Sequence, residues 1–237
     1  MRLVTWNCSR GAFALKVPFL NSLMPDVAVV QECGRPIVEN DQRVWFGDNP
    51  RQGLAVQAAG AYRLRPLPTI AEVPPHAVPV EVTGPRSFTL LAVWSKRHAQ
   101  YPYVEGVVRA VELYHDLLTA GPSVVIGDFN SNAIWDSEHP PDRNHTALVT
   151  ALGESGLCSS YHAFHGETHG AETRPTYYFH WNEEKPFHID YCFVPHAWIP
   201  QLGSVEIGSY AAWHGRSDHR PLIVDLVDKP TAATVGR

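Results

Sequence analysis

Apolar residues along this chain come mostly in short unbroken blocks. Residues 27–32 read Val-Ala-Val-Val-Gln-Glu and residues 123–128 read Ser-Val-Val-Ile-Gly-Asp. Blocks this short and continuous predict strands covered on both faces. Further strands are predicted at 2–7, 43–46, 53–58, 61–65, 77–83, 87–94, 176–181, 189–194, 203–207 and 222–227. Helical spacing is clearest over 104–119, where Val107, Val108, Val111, Tyr114, Leu117 and Leu118 recur on one face before Gly121-Pro122 ends the run. Shorter helices are predicted at 16–23 and 144–155. Six prolines between residues 63 and 86 favour edge strands and turns there.

Two halves emerge, each with strands and at least one helix. They predict two sheets packed face to face with helices outside. At 237 residues the chain is expected to form one domain over residues 1–228, with a frayed tail at 229–237. A hydrophobic content of 44% suits a soluble globular chain, and no apolar run approaches the roughly 18 residues needed to span a bilayer. The first residues read as a strand and not as a secretory signal, which leads to the expectation of a cytosolic protein. Cys8, Cys33, Cys158 and Cys192 form no C-x-x-C pair and read as small packing residues. The net charge of −5 argues against a broadly basic nucleic-acid-binding surface and leaves room for a local patch or a metal ion to supply positive field.

Chemistry-bearing residues gather at the ends of the apolar blocks. Thr5-Trp6-Asn7, Gln31-Glu32-Cys33 and Gly127-Asp128-Phe129-Asn130 close strands, while His188-Ile189-Asp190-Tyr191 and Ser217-Asp218-His219-Arg220-Pro221 open them. Strand ends are where a rigid sheet aims side chains into a cleft. Asn7, Glu32, Asp128, Asn130, Asp190 and Asp218 are all oxygen donors. Several carboxylates in one cleft repel each other unless a cation lies among them, and hard oxygen ligands suit Mg²⁺ or Mn²⁺ better than zinc. Glu32 is the first-choice ligand, with Asn7 and Asp218 near it. His219 can stay protonated beside a carboxylate and face a phosphoryl oxygen, with Asp190 as its orienting partner. Asp128 and Asn130, two apart on a strand end, share a face. Asp128 can take a proton from water while Asn130 holds that water or a phosphate oxygen. Taken singly, each of these clusters also reads as a turn, a cap or a structural carboxylate.

Together, in this order and over residues 3 to 226, these segments resemble the endonuclease/exonuclease/phosphatase superfamily, with its deoxyribonuclease I-like fold. The resemblance implies an α+β architecture: a four-layer α/β/β/α sandwich of two packed mixed sheets flanked by helices. It implies that Asn7 and Glu32 bind a divalent ion with Asp218 nearby. It also implies that Asp128 and Asn130 position or activate the attacking water, and that His219, oriented by Asp190, contacts the scissile phosphate. The expected activity is a Mg²⁺- or Mn²⁺-dependent phosphoesterase, first of all a nuclease on nucleic acid. A phosphatase or phosphodiesterase on a small-molecule or lipid phosphate is the alternative, and a non-catalytic module that kept the fold is a more distant one. Where many members place His, Tyr or Asn after the strand ending at Val93, this chain has Trp94, whose indole cannot act as an acid. Leaving-group protonation then falls to His98, Tyr101 or Tyr103. Arg109 matches a basic position of many members and is equally readable as a surface helix charge.

The segment 161–188 is rich in His and aromatics. Phe179, Trp181 and Phe187 can stack on a base or pack in the core. His162, His165 and His169 have a loosely metal-like spacing, but without a cysteine partner the reading disfavours zinc there.

Overall fold

The computed structural model describes residues 1–73, 77–97 and 101–227. The expected tail at 229–237 and His98 lie outside the described residues. The first half runs β1 (Arg2–Asn7), α1 (Phe13–Ser22), β2 (Val27–Cys33), β3 (Arg43–Asn49), β4 (Gln52–Ala58), β5 (Arg63–Pro66), β6 (Ala77–Thr83) and β7 (Phe88–Trp94). The second half begins with α2 (Val104–Leu113), α3 (His115–Thr119), β8 (Ser123–Asp128), α4 (His145–Glu154), β9 (Leu157–Ser159) and α5 (Ser160–His165). It closes with β10 (Tyr177–Tyr178), β11 (Pro186–Phe187), β12 (Asp190–Pro195), β13 (Leu202–Ile207), α6 (Tyr210–Trp213) and β14 (Leu222–Leu226).

Two six-stranded sheets result, in the orders β13-β14-β1-β2-β4-β3 and β5-β6-β7-β8-β12-β9. Each is mixed: β1–β2 and β7–β8 run parallel and the other neighbours antiparallel. Because successive side chains in a strand point to opposite faces, each central strand feeds two cores. Leu3, Val29, Val56, Leu90 and Ile126 fill the space between the sheets. Val4, Trp6 and Val30 face outward under α1, together with Leu20 and Trp213. Leu91, Val125 and Phe193 face outward under α2 and α4, against Val107, Val111, Leu148 and Leu152. The layers therefore stack as helix, sheet, sheet, helix, as expected. Among the described residues no helix is long and apolar enough to cross a membrane.

Some expectations change. The helix predicted over 104–119 breaks at Tyr114, whose buried hydroxyl accepts a hydrogen bond from Ile70 N at 3.2 Å. β6 is internal despite Pro79, and only β5 occupies the edge. The strand predicted at 176–181 is cut to two residues, because His180 and Trp181 adopt left-handed backbone angles (φ 55° and 59°) and turn the chain. β9 and α5 have no counterpart among the predicted elements.

Candidate active site

The polar clusters converge where the two sheets meet at one end. Asn7 and Glu32 come from adjacent parallel strands of the first sheet, β1 and β2. Asp128 and Asp190 face each other directly across the β8–β12 ladder of the second, a position that brings side chains on one face to about 5 Å. Buried Gln31 bridges the sheets beneath them: its amide donates to Thr5 Oγ1 at 2.8 Å and to the Val93 carbonyl at 3.2 Å.

Local backbone devices aim the donors. The β2–β4 register shifts between Gln31 and Cys33, so Glu32 is bulged out of the ladder with φ 59°. Asn130 also sits in left-handed space, at φ 44°. Such conformations cost on the order of 1–3 kcal/mol for non-glycine residues and concentrate at functional sites. Gly127 is required by contact as well as by its φ of +152°, since a Cβ there would fall 1.9 Å from the Val93 carbonyl oxygen. That close approach lets β8 run tight against β7 before Asp128.

Asn7 Nδ2 donates to Asp128 Oδ2 at 2.9 Å and lies 3.4 Å from Glu32 Oε1. Glu32 Oε2 accepts from Gln52 Nε2 at 3.0 Å, with Arg10 Nε 3.7 Å away. Asn130 donates through its backbone N to Asp128 Oδ1 at 2.9 Å, and through Nδ2 to Asp128 Oδ2 at 3.1 Å and the Ser95 carbonyl at 2.7 Å. Between Asp128 and Asn130, Phe129 turns the other way into the outer core, so the pair does share a face.

His219 Nδ1 lies 2.9 Å from Asp190 Oδ2, and both residues are buried. The dyad is framed from behind. Thr176 Oγ1 accepts from the Asp190 backbone N, the Ser217 hydroxyl accepts from His219 N, and the Tyr177 ring lies 4.5 Å from the imidazole. Arg220, packed between the Tyr178 and Tyr210 rings, donates to the Ser217 and His219 carbonyls and so holds the loop that carries His219.

Burial alone would discharge the His219 ring, but the charge and hydrogen bond of Asp190 outweigh it and raise the imidazole to about 9. Burial, with the charge of Asp190 added, pushes the Asp128 carboxyl up to about 7 against the pull of His219 and Asn7. Asp128, Asp190 and His219 offer donor atoms within 4.8 Å of one another, and Asp190 Oδ1 is buried with no hydrogen-bond partner. An excess of buried carboxylate over positive charge, with Glu32 adding oxygen donors, is an environment that fits a hard divalent cation; Asn7 faces these carboxylates through Nδ2, while its Oδ1 accepts from Ser9 N at 3.0 Å.

Beside Asn130 opens a cleft of about 470 Å³ lined by Tyr103, Trp135, Glu138, His139, Tyr177, Phe179, Phe187 and Ile189. Phe179 and Phe187 both line this cleft. Tyr103, Trp135 and Tyr177 form the rest of the aromatic wall, and of these Trp135 escapes the sequence reading altogether. Trp181 is exposed outside that wall, its carbonyl accepting from the Tyr210 hydroxyl. Trp94 stands opposite Asp128 in the ladder but is buried between the sheets, with the Lys96 ammonium 4.2 Å over its ring. Arg109 pairs with Glu112 on its own helix. Asp218 is half-buried; its backbone carbonyl accepts from Tyr178 N, and its charge bears on His219 and Tyr177. On the Glu32 side a second cleft, of about 670 Å³, is lined by Arg10, Arg35, Arg51, Asn49 and Gln52.

No family model and no curated relative matches the chain. Solved structures do. A 3′-5′ exonuclease, NExo, from Neisseria meningitidis superposes with TM-score 0.72 at 19% identity, covering 96% of this chain and 100% of that one. A structure titled as the 3′ phosphatase NExo from Neisseria bound to product DNA hairpin gives 0.71 at 18%, covering 95% and 99%. An AP endonuclease from Archaeoglobus fulgidus gives 0.69 at 16%, again covering 95% and 99%. With two mixed sheets between helices and polar residues meeting at one end of the sandwich, the chain has the deoxyribonuclease I-like fold that these structures share.

Proposed function

We propose that residues 1–228 work as one divalent-metal-dependent phosphodiesterase, a nuclease acting in the cytosol. The observation that carries this reading is the pairing of an imidazole held charged by Asp190 with the buried Asp128 and its partner Asn130, across from Glu32 and Asn7. Glu32 and Asn7, with Asp218 nearby, would hold Mg²⁺ or Mn²⁺; when bound, such an ion stabilises charge on phosphoryl oxygens.

The chain's own groups divide the remaining work. Asp128 accepts a proton from the attacking water, and Asn130 orients that water through its Oδ1, both Nδ2 hydrogens being taken by Asp128 and the Ser95 carbonyl. His219, with Nδ1 committed to Asp190, presents Nε2–H to a non-bridging oxygen, where charge builds during in-line displacement. Tyr103, on the rim of the aromatic cleft, is the candidate to protonate the leaving oxygen in place of the indole of Trp94.

Nucleic acid is favoured as substrate because the site is flanked by two kinds of surface. Arginines next to Glu32 suit successive phosphates, and aromatic faces next to Asn130 suit bases. Neighbours titled as an exonuclease and as a 3′ phosphatase on a DNA hairpin support the same class. The acidic balance of the chain keeps a small-molecule or lipid phosphoesterase as the second reading.

The test is a substrate panel with Mg²⁺, Mn²⁺ or chelator: single- and double-stranded DNA, RNA, 3′-phosphorylated DNA, bis-nitrophenyl phosphate, a nitrophenyl monoester and inositol phosphates. Metal-dependent cleavage of a polynucleotide that vanishes in a folded Glu32→Ala variant supports the proposal. Full activity in Glu32→Ala, or turnover confined to inositol phosphates, refutes it.

A further inference from the structure

A second group of polar side chains is buried away from the cleft. His162 on α5, with His169 and Glu172 in the loop after it, places ligand-type atoms within 4.8 Å of one another. The sequence spacing singles out His162, His165 and His169. The fold replaces His165, whose Nε2 lies 2.9 Å from the Val205 carbonyl, with Glu172.

The carboxylate is nearly enclosed. The Glu172 side chain is 3% accessible, and its ion-pair partner among the described residues is the imidazole of His162, 9% accessible. An enclosed carboxylate requires a cation or a strong set of donors.

The far side of each ligand is already anchored. His162 Nδ1 is 2.7 Å from Ser159 Oγ. His169 Nδ1 is 2.9 Å from His145 Nε2, and the other nitrogen of His145 is 2.9 Å from Ser131 Oγ. Glu172 Oε2 accepts from Asn132 Nδ2 at 3.0 Å and from Gly170 N at 3.1 Å. Outer partners of this kind are what orient metal ligands. They leave His162 Nε2 and Glu172 Oε1, 3.1 Å apart, and the remaining nitrogen of His169. The His162 and His169 rings lie face to face, with centroids 3.5 Å apart and 22° between planes. Shared coordination therefore requires the His169 ring to tilt away from His162, at the expense of its contact with His145.

We propose that His162, His169 and Glu172 bind a zinc-class divalent ion, which clasps the 166–176 loop to α5. Two imidazoles and one carboxylate suit a borderline ion and leave one position for water; Mg²⁺ prefers an all-oxygen shell. The clasped loop ends at Thr176, whose hydroxyl accepts from both Ile189 N and Asp190 N, so the ion steadies the frame of the His219–Asp190 dyad from outside the cleft.

The test is titration of chelator-stripped protein with Co²⁺, read by its visible ligand-field bands and by Zn²⁺ displacement. One equivalent with those bands is expected in the native chain and in Glu32→Ala. In His169→Gln and Glu172→Gln its affinity is expected to fall at least ~100-fold. Zn²⁺ should raise the Tm of the stripped native protein but not that of the two variants. X-ray absorption on the native cobalt protein gives an answer that needs no variant: two imidazole nitrogens in the shell support the site, and an all-oxygen shell overturns it. Three other results also overturn it: no bound equivalent beyond the one lost in Glu32→Ala, unchanged affinity in His169→Gln, or a stripped protein whose Glu172 is countered by an imidazolium at His162 and takes up no Co²⁺. Because Glu32→Ala isolates the catalytic cation, failure here leaves the nuclease assignment standing.

Discussion

Replacing Asp190 with asparagine tests the electrostatics of the site most directly. The carboxylate lifts His219 from its ordinary 6.5 to about 9. That favours the charged ring by about 3 kcal/mol. The asparagine amide keeps the shape but removes the charge, and the ring then returns to about its ordinary 6.5, burial being offset by the charges of Asp128 and Asp218. At pH 8 the native ring is about nine-tenths protonated and the Asp190→Asn ring about 3%, a loss of ~30-fold from protonation alone. At pH 6 both rings are mostly protonated, so that part of the deficit nearly disappears. Any tautomer fault adds a further factor, which reaches about 10⁴ in the serine-protease triad. The assay is kcat/KM against pH with Mg²⁺ on a bis-aryl phosphate, together with NMR titration of the His219 Cε1–H. Native activity should decline as pH rises through about 9, because the proton on His219 is then lost. A native ring titrating near 6.5, or an Asp190→Asn deficit that does not widen between pH 6 and 8, would refute the reasoning.

Gly127→Ala should cost at least about 3 kcal/mol in urea unfolding, given the 1.9 Å approach to the Val93 carbonyl and the positive φ; a loss under about 1 kcal/mol would contradict that contact. Phe179→Ala should weaken DNA binding by about 1–3 kcal/mol per stacked base while leaving a small aryl ester untouched, as KM for the two substrates will show. Arg10→Ala and Arg51→Ala should each lower the slope of log affinity against log salt by about one for single-stranded DNA. An unchanged slope would remove the arginine-lined cleft from the substrate path.

The parts of this fold written in continuous apolar blocks could be read directly. β2 and β8 lie within a residue of their expected positions because burial on both faces demands an unbroken apolar run. Glu32, Asp128, Asn130, Asp190 and His219 could be gathered from the sequence into one candidate cluster for a related reason: each lies at or close to the end of such a run. The bulge at Glu32 was not legible, since it arises from pairing with β4 and leaves no local trace. Helix α5 was obscured because Ser-Tyr-His-Ala-Phe-His carries neither a long apolar stripe nor a strong cap. Trp135 joins the aromatic wall from a 3-10 turn (Ala133–Glu138), and only the folded chain brings it against Phe187, with ring centroids 5.1 Å apart. Its place shortly after Gly-Asp-Phe-Asn was the one available hint. Arg220, a cation within the Ser217–Pro221 motif, serves the loop and is buried between two tyrosines.

β1 sits between β2 and β14, so the first strand of the chain is completed by the last. Glu32 is made long before His219 and the strand that fixes its loop. A partly made chain therefore holds the carboxylates without the imidazole and without the neighbour that β1 needs on its other side. The candidate site is complete only once β14 has docked beside β1, so its assembly is tied to the pairing of strands from opposite ends of the fold.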